Sequence, residues 1–418
     1  MAEYTLRRTK LFQKMKENSC ALIFAGAPKL ANEDAYLPYV INKNFYYLTG
    51  IEQEGSVLLL VKSLGEEKTY LFIDEYNEVK EKWTGKRLTA VEASEISSIN
   101  NVNFKNTLDS YLSLVLANEN NQYGNIDTLY LDLSPEILIQ ETVTTRDLSN
   151  SIKKKMPHIN VENIKPILTR LRMIKSDEEV EEIRKAIVLT ANGINHLIVN
   201  IKPGIYEYSL ADKFEFYGRE NNRSQLSFPT IIAGGRNSTI LHYPSQNDQL
   251  NNGDVVLFDL GYACNYYCAD ISRTYPVNGT FTDKQKKIYE AVLHCNKALI
   301  EYARAGLTIK DLQEYATNFL RNECLRLKLI KEDEDIRKYY YHGCSHHLGL
   351  DTHDCSDREL PLEPGNVITI EPGLYFIEDG IGVRIEDDIL ITENRSENLS
   401  KDIIKNIEDI EKLFKLKA

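Results

Sequence analysis

Four of the chain's eight histidines fall within thirteen residues, HGCSHHLGLDTHD, from His342 to Asp354. Imidazole can ligate a metal or move a proton near neutral pH. With Cys344 and Cys355 in or beside the stretch, zinc is the first chemistry to test. A zincin places glutamate directly after the first histidine of a helical H-E-x-x-H. HGCSH has Gly343 there, and Gly343 with Gly349 disfavours a regular helix. A structural Cys/His zinc site would need paired C-x-x-C spacing. Cys344 and Cys355 lack it, as do Cys264 and Cys268 in CNYYC, and a lone small cysteine more often fills core. The remaining option makes one histidine the nitrogen ligand of a carboxylate site. The others would then contact substrate or stabilise developing charge.

The acids for such a site stand elsewhere. Asp259 ends the apolar run VVLF, where a lone buried charge would be prohibitive. Asp270 follows eleven residues on, in a second strand-like run, and the midpoint falls between Cys264 and Asn265. A hairpin centred there sets the two aspartates opposite each other, side chains about 5 Å apart. Carboxylates that close repel unless a proton or cation lies between them. Downstream, Glu371 ends VITI and Glu386 lies in IGVRIEDD, with the midpoint at the turn signal EDG. Pro372-Gly373 is a place where a bulge would shift that register by one. Oxygen-rich coordination with one imidazole suits manganese, cobalt or zinc. Four carboxylates exceed the needs of one tetrahedral ion, which points to two ions sharing bridging carboxylates.

A chain of 418 residues predicts two or three domains. The segment 1–170 alternates helical stretches with the short apolar runs CALIFAG, SVLLLVK, TYLFID and TLYLDL, the pattern of buried strands in an α/β sheet. Ser176 with Glu179 is a capping-box signature. It opens a long helix through Val180, Ile183, Ile187, Ala191, Ile194 and Leu197, and 171–418 is the second expected domain. There, helices after Pro203-Gly204, after Thr282-Asp283 and from Thr308 are interspersed with strand pairs. The strands are SFPTIIAG with TILHY, DVVLFDLGY with YYCADISRTYPV, and NVITIEPGLYF with IGVRIEDDILIT, which predicts an α+β fold. The tail KDIIKNIEDIEKLFKLKA reads as a charged amphipathic helix. A net charge of -12 argues against a nucleic-acid-binding surface, and no apolar run approaches a membrane span. The N-terminus reads as an amphipathic helix rather than a signal peptide. Seven scattered cysteines suit reduced thiols, so the expected location is the cytoplasm.

Asp259, Asp270, His346, Glu371 and Glu386 match, in type, order and context, the five ligands of the pita-bread metallopeptidases. Within that family the chain resembles aminopeptidase P, the Xaa-Pro aminopeptidases. HGCSHHLGLDTHD is similar to that group's HG-x-SH-x-LGLD-x-HD, and ITIEPGLYF and GIGVRIEDDI to its glutamate strands. NFYYLTGIEQEGSVLLLV and EKWTGKRL, which holds Trp83, are similar to its N-terminal segments. The resemblance implies a C-terminal pita-bread (creatinase/aminopeptidase) fold after a smaller α/β domain. It implies two divalent ions, manganese first, with zinc or cobalt as alternatives. Asp259, Asp270 and Glu386 would ligate or bridge them, while His346 and Glu371 complete one shell. Glu371 would also orient or deprotonate the bridging water, and the resulting metal-bridging hydroxide would be the nucleophile.

His242 would line the site, and His342 and His353 would contact substrate and the tetrahedral intermediate. Arg384 alternates with Glu386 and would orient the carboxylates. His347 would shape the pocket, and His158, His196 and His294 carry no implied role. The implied reaction releases the first residue of peptides with proline second, in a homo-oligomer, dimer or tetramer. A prolidase confined to Xaa-Pro dipeptides is the alternative. A methionine aminopeptidase fits the long N-terminal part poorly, and a non-catalytic pita-bread binding protein typically lacks ligands that are all present here. Two departures stand out: no arginine precedes the aromatic pair in YVINKNFYYLTG, and Phe228-Pro229 stands where some relatives carry tyrosine.

Overall fold

Apolar runs bounded by turn residues become the central strands of a mixed sheet in the first of two compact units, Met1–Leu171 and Arg172–Ala418. The computed structural model describes residues 3–33, 35–117, 122–133, 145–221 and 225–417. The first unit's strands are β1 (Ser19–Phe24), β2 (Val57–Ser63), β3 (Glu66–Ile73), β4 (Asn101–Phe104), β5 (Thr128–Leu131) and β6 (Asn160–Asn163), in the order β4-β3-β2-β1-β5-β6. β1 to β3 run antiparallel as a meander, and β4, β5 and β6 add in parallel. Leu22, Leu59, Phe72 and Leu129 lie in its core. The two edge strands, NVNF and NVEN, are polar and half exposed. An edge strand has one ladder and little face to bury, so it lacks the apolar signature that marks the other four.

In the second unit the long helix Asp177–Ile198 begins at the expected capping box, with Ser176 and Glu179 each bonding the other's backbone. Thr282 with Gln285 and Thr308 with Asp311 do the same for the helices Asp283–Tyr302 and Ile309–Arg326. The strands are β7 (Gln225–Leu226), β8 (Ile231–Gly234), β9 (Val255–Leu260), β10 (Tyr262–Cys264), β11 (Tyr267–Cys268), β12 (Ile271–Pro276), β13 (Val367–Ile370), β14 (Gly373–Phe376), β15 (Ile381–Arg384), β16 (Asp387–Ile391) and β17 (Ser396–Asn398). They form the small antiparallel sheets β11-β10-β7, β12-β9-β8, β13-β16-β17 and β14-β15. TILHY is not a strand. A 3-10 turn at Gly235–Thr239 precedes irregular chain, because Gly235 takes φ +50 and Ser238 and Thr239 bond back to nearby carbonyls. Among the described residues no helix is long and apolar enough to cross a membrane.

The two acid-bearing hairpins differ in register. β9 pairs with β12 so that Asp259 faces Ser272, not Asp270. The reason is the turn: Asn265 and Tyr266, at φ 47 and 67, form a two-residue loop one position later than the midpoint of the aspartates. Asp270 is therefore diagonal to Asp259, two residues before Ser272 and on the same face. Gly261 fits this crossing, since a Cβ there would lie 1.9 Å from the Ala269 carbonyl. In the second hairpin the register runs from Ile370↔Asp387 to Gly373↔Arg384 without a slip, so Glu371 faces Glu386 as expected.

Candidate metal centre

The ends of β9 and β13, the start of β12 and the short link between β15 and β16 bring four acids toward one cavity of about 480 Å³. All nine residues singled out from the sequence line it: His242, Asp259, Asp270, His342, His346, His353, Glu371, Arg384 and Glu386. Donor atoms of Asp270, His346 and Glu386 lie within 4.8 Å of one another. His346 Nε2 is 3.3 Å from Asp270 Oδ2 and 3.6 Å from Glu371 Oε1. Asp259 joins less directly. Ser272 Oγ lies 3.1 Å from Asp259 Oδ1 and 2.7 Å from Glu386 Oε2, and Arg384 Nη2 donates to Asp259 Oδ2 at 2.6 Å.

Backbone bonds hold the acids in place. Glu371 N–H donates to the Cys344 carbonyl, Glu386 N–H to the Ser272 carbonyl, and Asp270 N–H to Asp388 Oδ2. His346 Nδ1 faces the His347 carbonyl at 3.0 Å. A carbonyl can only accept, so Nδ1 carries a proton, and Nε2 is the nitrogen that faces the acids and would be open to a cation.

Burial dominates the electrostatics. Desolvation lifts the Asp270 carboxyl to about 6 and Glu371 to about 7, and pushes Glu386 well above the usual carboxylate range. Burial opposes an imidazolium at His346, but the Asp270 hydrogen bond and the nearby Glu371 charge raise it to about 9. The protein's own groups thus hold protons where a cation would remove the need for them, which is the chemistry of a divalent-metal donor set. His342 goes the other way, pushed down to about 3 by burial and by the Arg384 charge. Its Nδ1–H donates to the Gly343 carbonyl at 2.7 Å, and its Nε2 accepts from the Tyr375 hydroxyl at 2.8 Å. That hydroxyl in turn accepts from Arg384 Nη1 at 3.0 Å. His353, lowered by burial and by His346, stacks edge-on against the His346 ring with centroids 4.4 Å apart.

Phe228, Pro229, Ile231, Leu241, Tyr243 and Pro244 also line the cavity and give it an apolar component. His347 does not shape this pocket. Its side chain is buried away from the cavity lining, and its backbone carbonyl is what serves His346. His158, His196 and His294 bond or stack elsewhere, on the Leu116 carbonyl, Tyr217 and Glu323. Cys344 is a buried free thiol, and Cys355 is half-buried. Three participants lay outside the sequence reading: Ser272, Tyr375 and Thr369, whose Oγ1 accepts from His346 N–H. A period-two signal pointed to two of them. Ser272 and Thr369 stand two residues from Asp270 and Glu371, on the same strand faces.

Comparison with known proteins gives two family matches. Residues 181–393 match metallopeptidase family M24, and residues 4–123 match the aminopeptidase P N-terminal domain. An Xaa-Pro aminopeptidase of Haemophilus influenzae is 34% identical over 99% of this chain and 97% of its own length. The solved structure of aminopeptidase P from E. coli with the inhibitor Pro-Leu is 32% identical, with a TM-score of 0.89 over 99% of this chain and 98% of that one. A zinc-substituted E. coli aminopeptidase P in complex with product is 31% identical, with a TM-score of 0.90 over 100% of this chain and 98% of that one.

Proposed function

The chain belongs to metallopeptidase family M24, and from that premise we propose that it is an Xaa-Pro aminopeptidase. It is a metal-dependent exopeptidase that releases the first residue of peptides with proline in second position. The observation that carries this is the convergence of four acids and one imidazole, oriented by the His347 carbonyl, on a cavity that apolar side chains also line. Residues 171–418 would form the catalytic domain and 1–170 the N-terminal one. Asp259, Asp270, His346, Glu371 and Glu386 would hold two divalent ions, with manganese favoured by the oxygen-rich set. When bound, such ions acidify a shared water and so supply a nucleophile near neutral pH.

The chain's own residues do the rest. Glu371, at the end of β13 and facing the cavity, would take the proton of the attacking water as general base. His342 stays neutral, with Nδ1–H on the Gly343 carbonyl and Nε2 on the Tyr375 hydroxyl, so it would meet the substrate through its ring, while His353 would stabilise the developing oxyanion. Arg384 fixes Asp259 directly, and it fixes His342 through the Tyr375 hydroxyl. The bond before proline is a tertiary amide without N–H, so recognition falls to shape. The ring of proline fits the wall that includes Phe228, Pro229 and His242. The protein works in the cytoplasm as a homo-oligomer, dimer or tetramer.

Metal analysis joined to hydrolysis of Xaa-Pro peptides of two lengths tests this reading. Two ions per chain and release of the first residue from a tripeptide are expected. Cleavage of dipeptides alone would make it a prolidase, and no hydrolysis with the site fully loaded would leave only a binding protein.

A further inference from the structure

His346 and His353 depend on a loop whose anchor lies far away in sequence. The loop is short on regular structure, yet one carbonyl in it is used twice. The His347 carbonyl accepts His346 Nδ1–H at 3.0 Å and Asp354 N–H at 2.9 Å. The first bond fixes the tautomer and ring direction of His346, and the second fixes the carbonyl itself. Asp354 in turn is gripped by two cations. Arg172 Nη2 reaches Asp354 Oδ1 at 2.6 Å, and Lys175 Nζ reaches Oδ2 at 3.1 Å. The side chains of all three are at most 5% exposed. The same Arg172 nitrogen also pairs with Asp351 at 2.7 Å.

We propose that Arg172 and Lys175 are positioning residues for the metal site, acting through Asp354 and the His347 carbonyl to aim His346 Nε2 and to set the His353 ring. This rests on the reading of His346 as a metal ligand. Three further observations support it. The segment carrying the two cations is itself fixed, with Lys175 N–H on the Gly365 carbonyl and Asn366 Nδ2 on the Met173 carbonyl. The loop is fitted around the clamp: a Cβ on Gly349 would lie 2.2 Å from Asp354 Oδ2 and 3.0 Å from Lys175 Cε. His353 directly precedes Asp354, and its ring meets that of His346 at 4.4 Å. Net stability is a weak reason for burying such charges, since a well-packed apolar replacement of a buried ion pair is often neutral or better. Fixing one loop geometry is the function that an apolar cluster, free to repack, would not perform.

The test uses the full-length protein with Co2+ as the probe metal. Arg172→Met and Lys175→Met are each expected to weaken Co2+ binding roughly 10–100-fold, the usual effect of losing an outer partner of a ligating histidine. They should also shift the visible absorption bands of the bound Co2+ and lower kcat on an Xaa-Pro tripeptide more than they change KM. Arg172→Lys should recover part of the loss. Should Arg172→Met fail to fold, Lys175→Met carries the same comparison. Folded Met variants with wild-type Co2+ affinity and an unchanged spectrum would overturn the proposal. Asp270→Asn separates the two ideas. If it binds Co2+ as the wild type does, the ligand assignment falls, whatever the clamp variants do.

Discussion

Metal-free protein should lose stability as pH rises from 5.5 to 8, the reverse of what an ordinary set of paired carboxylates gives. Asp270 is raised from 3.8 to about 6 and Glu371 from 4.5 to about 7. The folded state therefore binds protons that the unfolded chain releases from about pH 4. Folding becomes less favourable as pH climbs through that window. His346 adds to the same trend. Raised from 6.5 to about 9, its charge stabilises the fold below pH 6.5, and that contribution is lost as pH passes through 9. A shift of just over two units is worth about 3 kcal/mol. These carboxyls and His346 share their protons, so the cluster as a whole contributes about 3 kcal/mol. Depressed acids such as Asp387 and Asp354 are ionised throughout the window and leave the slope alone; His342, His347 and His353, lowered by burial, pull the other way below pH 6.5, while Glu386, raised by burial, adds to the fall across the whole window. The assay is urea unfolding of chelator-treated protein at pH 5.5 and 8, followed by circular dichroism. The single tryptophan, Trp83, lies in the first unit and would report on the wrong part. Mn2+ should raise stability more at pH 8 than at 5.5, because the ion replaces protons that are scarce there. Glu371→Gln should flatten the metal-free slope. A metal-free stability that rises between pH 5.5 and 8 would refute the account of a proton-held cluster.

Three substitutions test the geometry more locally. Glu371→Gln should lower kcat by about 10²–10⁴, the range for loss of a general base, with the far-UV spectrum unchanged; near-normal turnover would remove Glu371 from the chemistry. Ser272→Ala should cost roughly 10–100-fold in metal affinity, because its hydroxyl links Asp259 to Glu386 and accepts from Arg384 Nε at 2.8 Å; a metal titration matching wild type would make it mere packing. Gly261→Ala forces a Cβ to 1.9 Å from the Ala269 carbonyl. It should destabilise by about 1–3 kcal/mol in urea, and an unchanged midpoint would mean that the two strands can part there.

The sequence carried the parts of this site that obey local rules. Glu371 and Glu386 face each other because a Gly380 turn at φ +65 closes the hairpin where the EDG signal stands. The three capping boxes begin helices at their own residues. The first hairpin misleads by one position because Asn265-Tyr266 supplies two left-handed residues without the glycine that usually announces such a turn. Ser272 illustrates a second limit. A serine in a strand carries no charge or apolar signature, and its worth appears only when Asp259, Glu386 and Arg384 are brought around it. TILHY shows a third, since β-branched composition outvoted the Gly234-Gly235 pair that turns the chain. The clamp on Asp354 was out of reach for a different reason. Its cations lie some 180 residues upstream, and only tertiary structure brings them together.

Charge balance supports the proposed pair of ions over a single one. Asp259, Asp270, Glu371 and Glu386, once ionised, bring four negative charges to a cavity that apolar side chains also line. Arg384 returns one positive charge, bonded to Asp259, and His346 is neutral when its Nε2 lone pair is engaged. Asp388 accepts from Asp270 N–H and is not among the cavity-lining residues. The lining therefore presents three negative charges. One divalent ion would leave a net negative site, which repels an incoming nucleophile and disfavours the oxyanion that forms on attack. Two leave one positive charge, a surplus matched to the single negative charge that develops in hydrolysis. Arg384 tunes this balance as much as it holds geometry. Its guanidinium stays charged at any working pH, so the surplus does not vary with the protons on Asp270, Glu371 and His346 that the metal displaces.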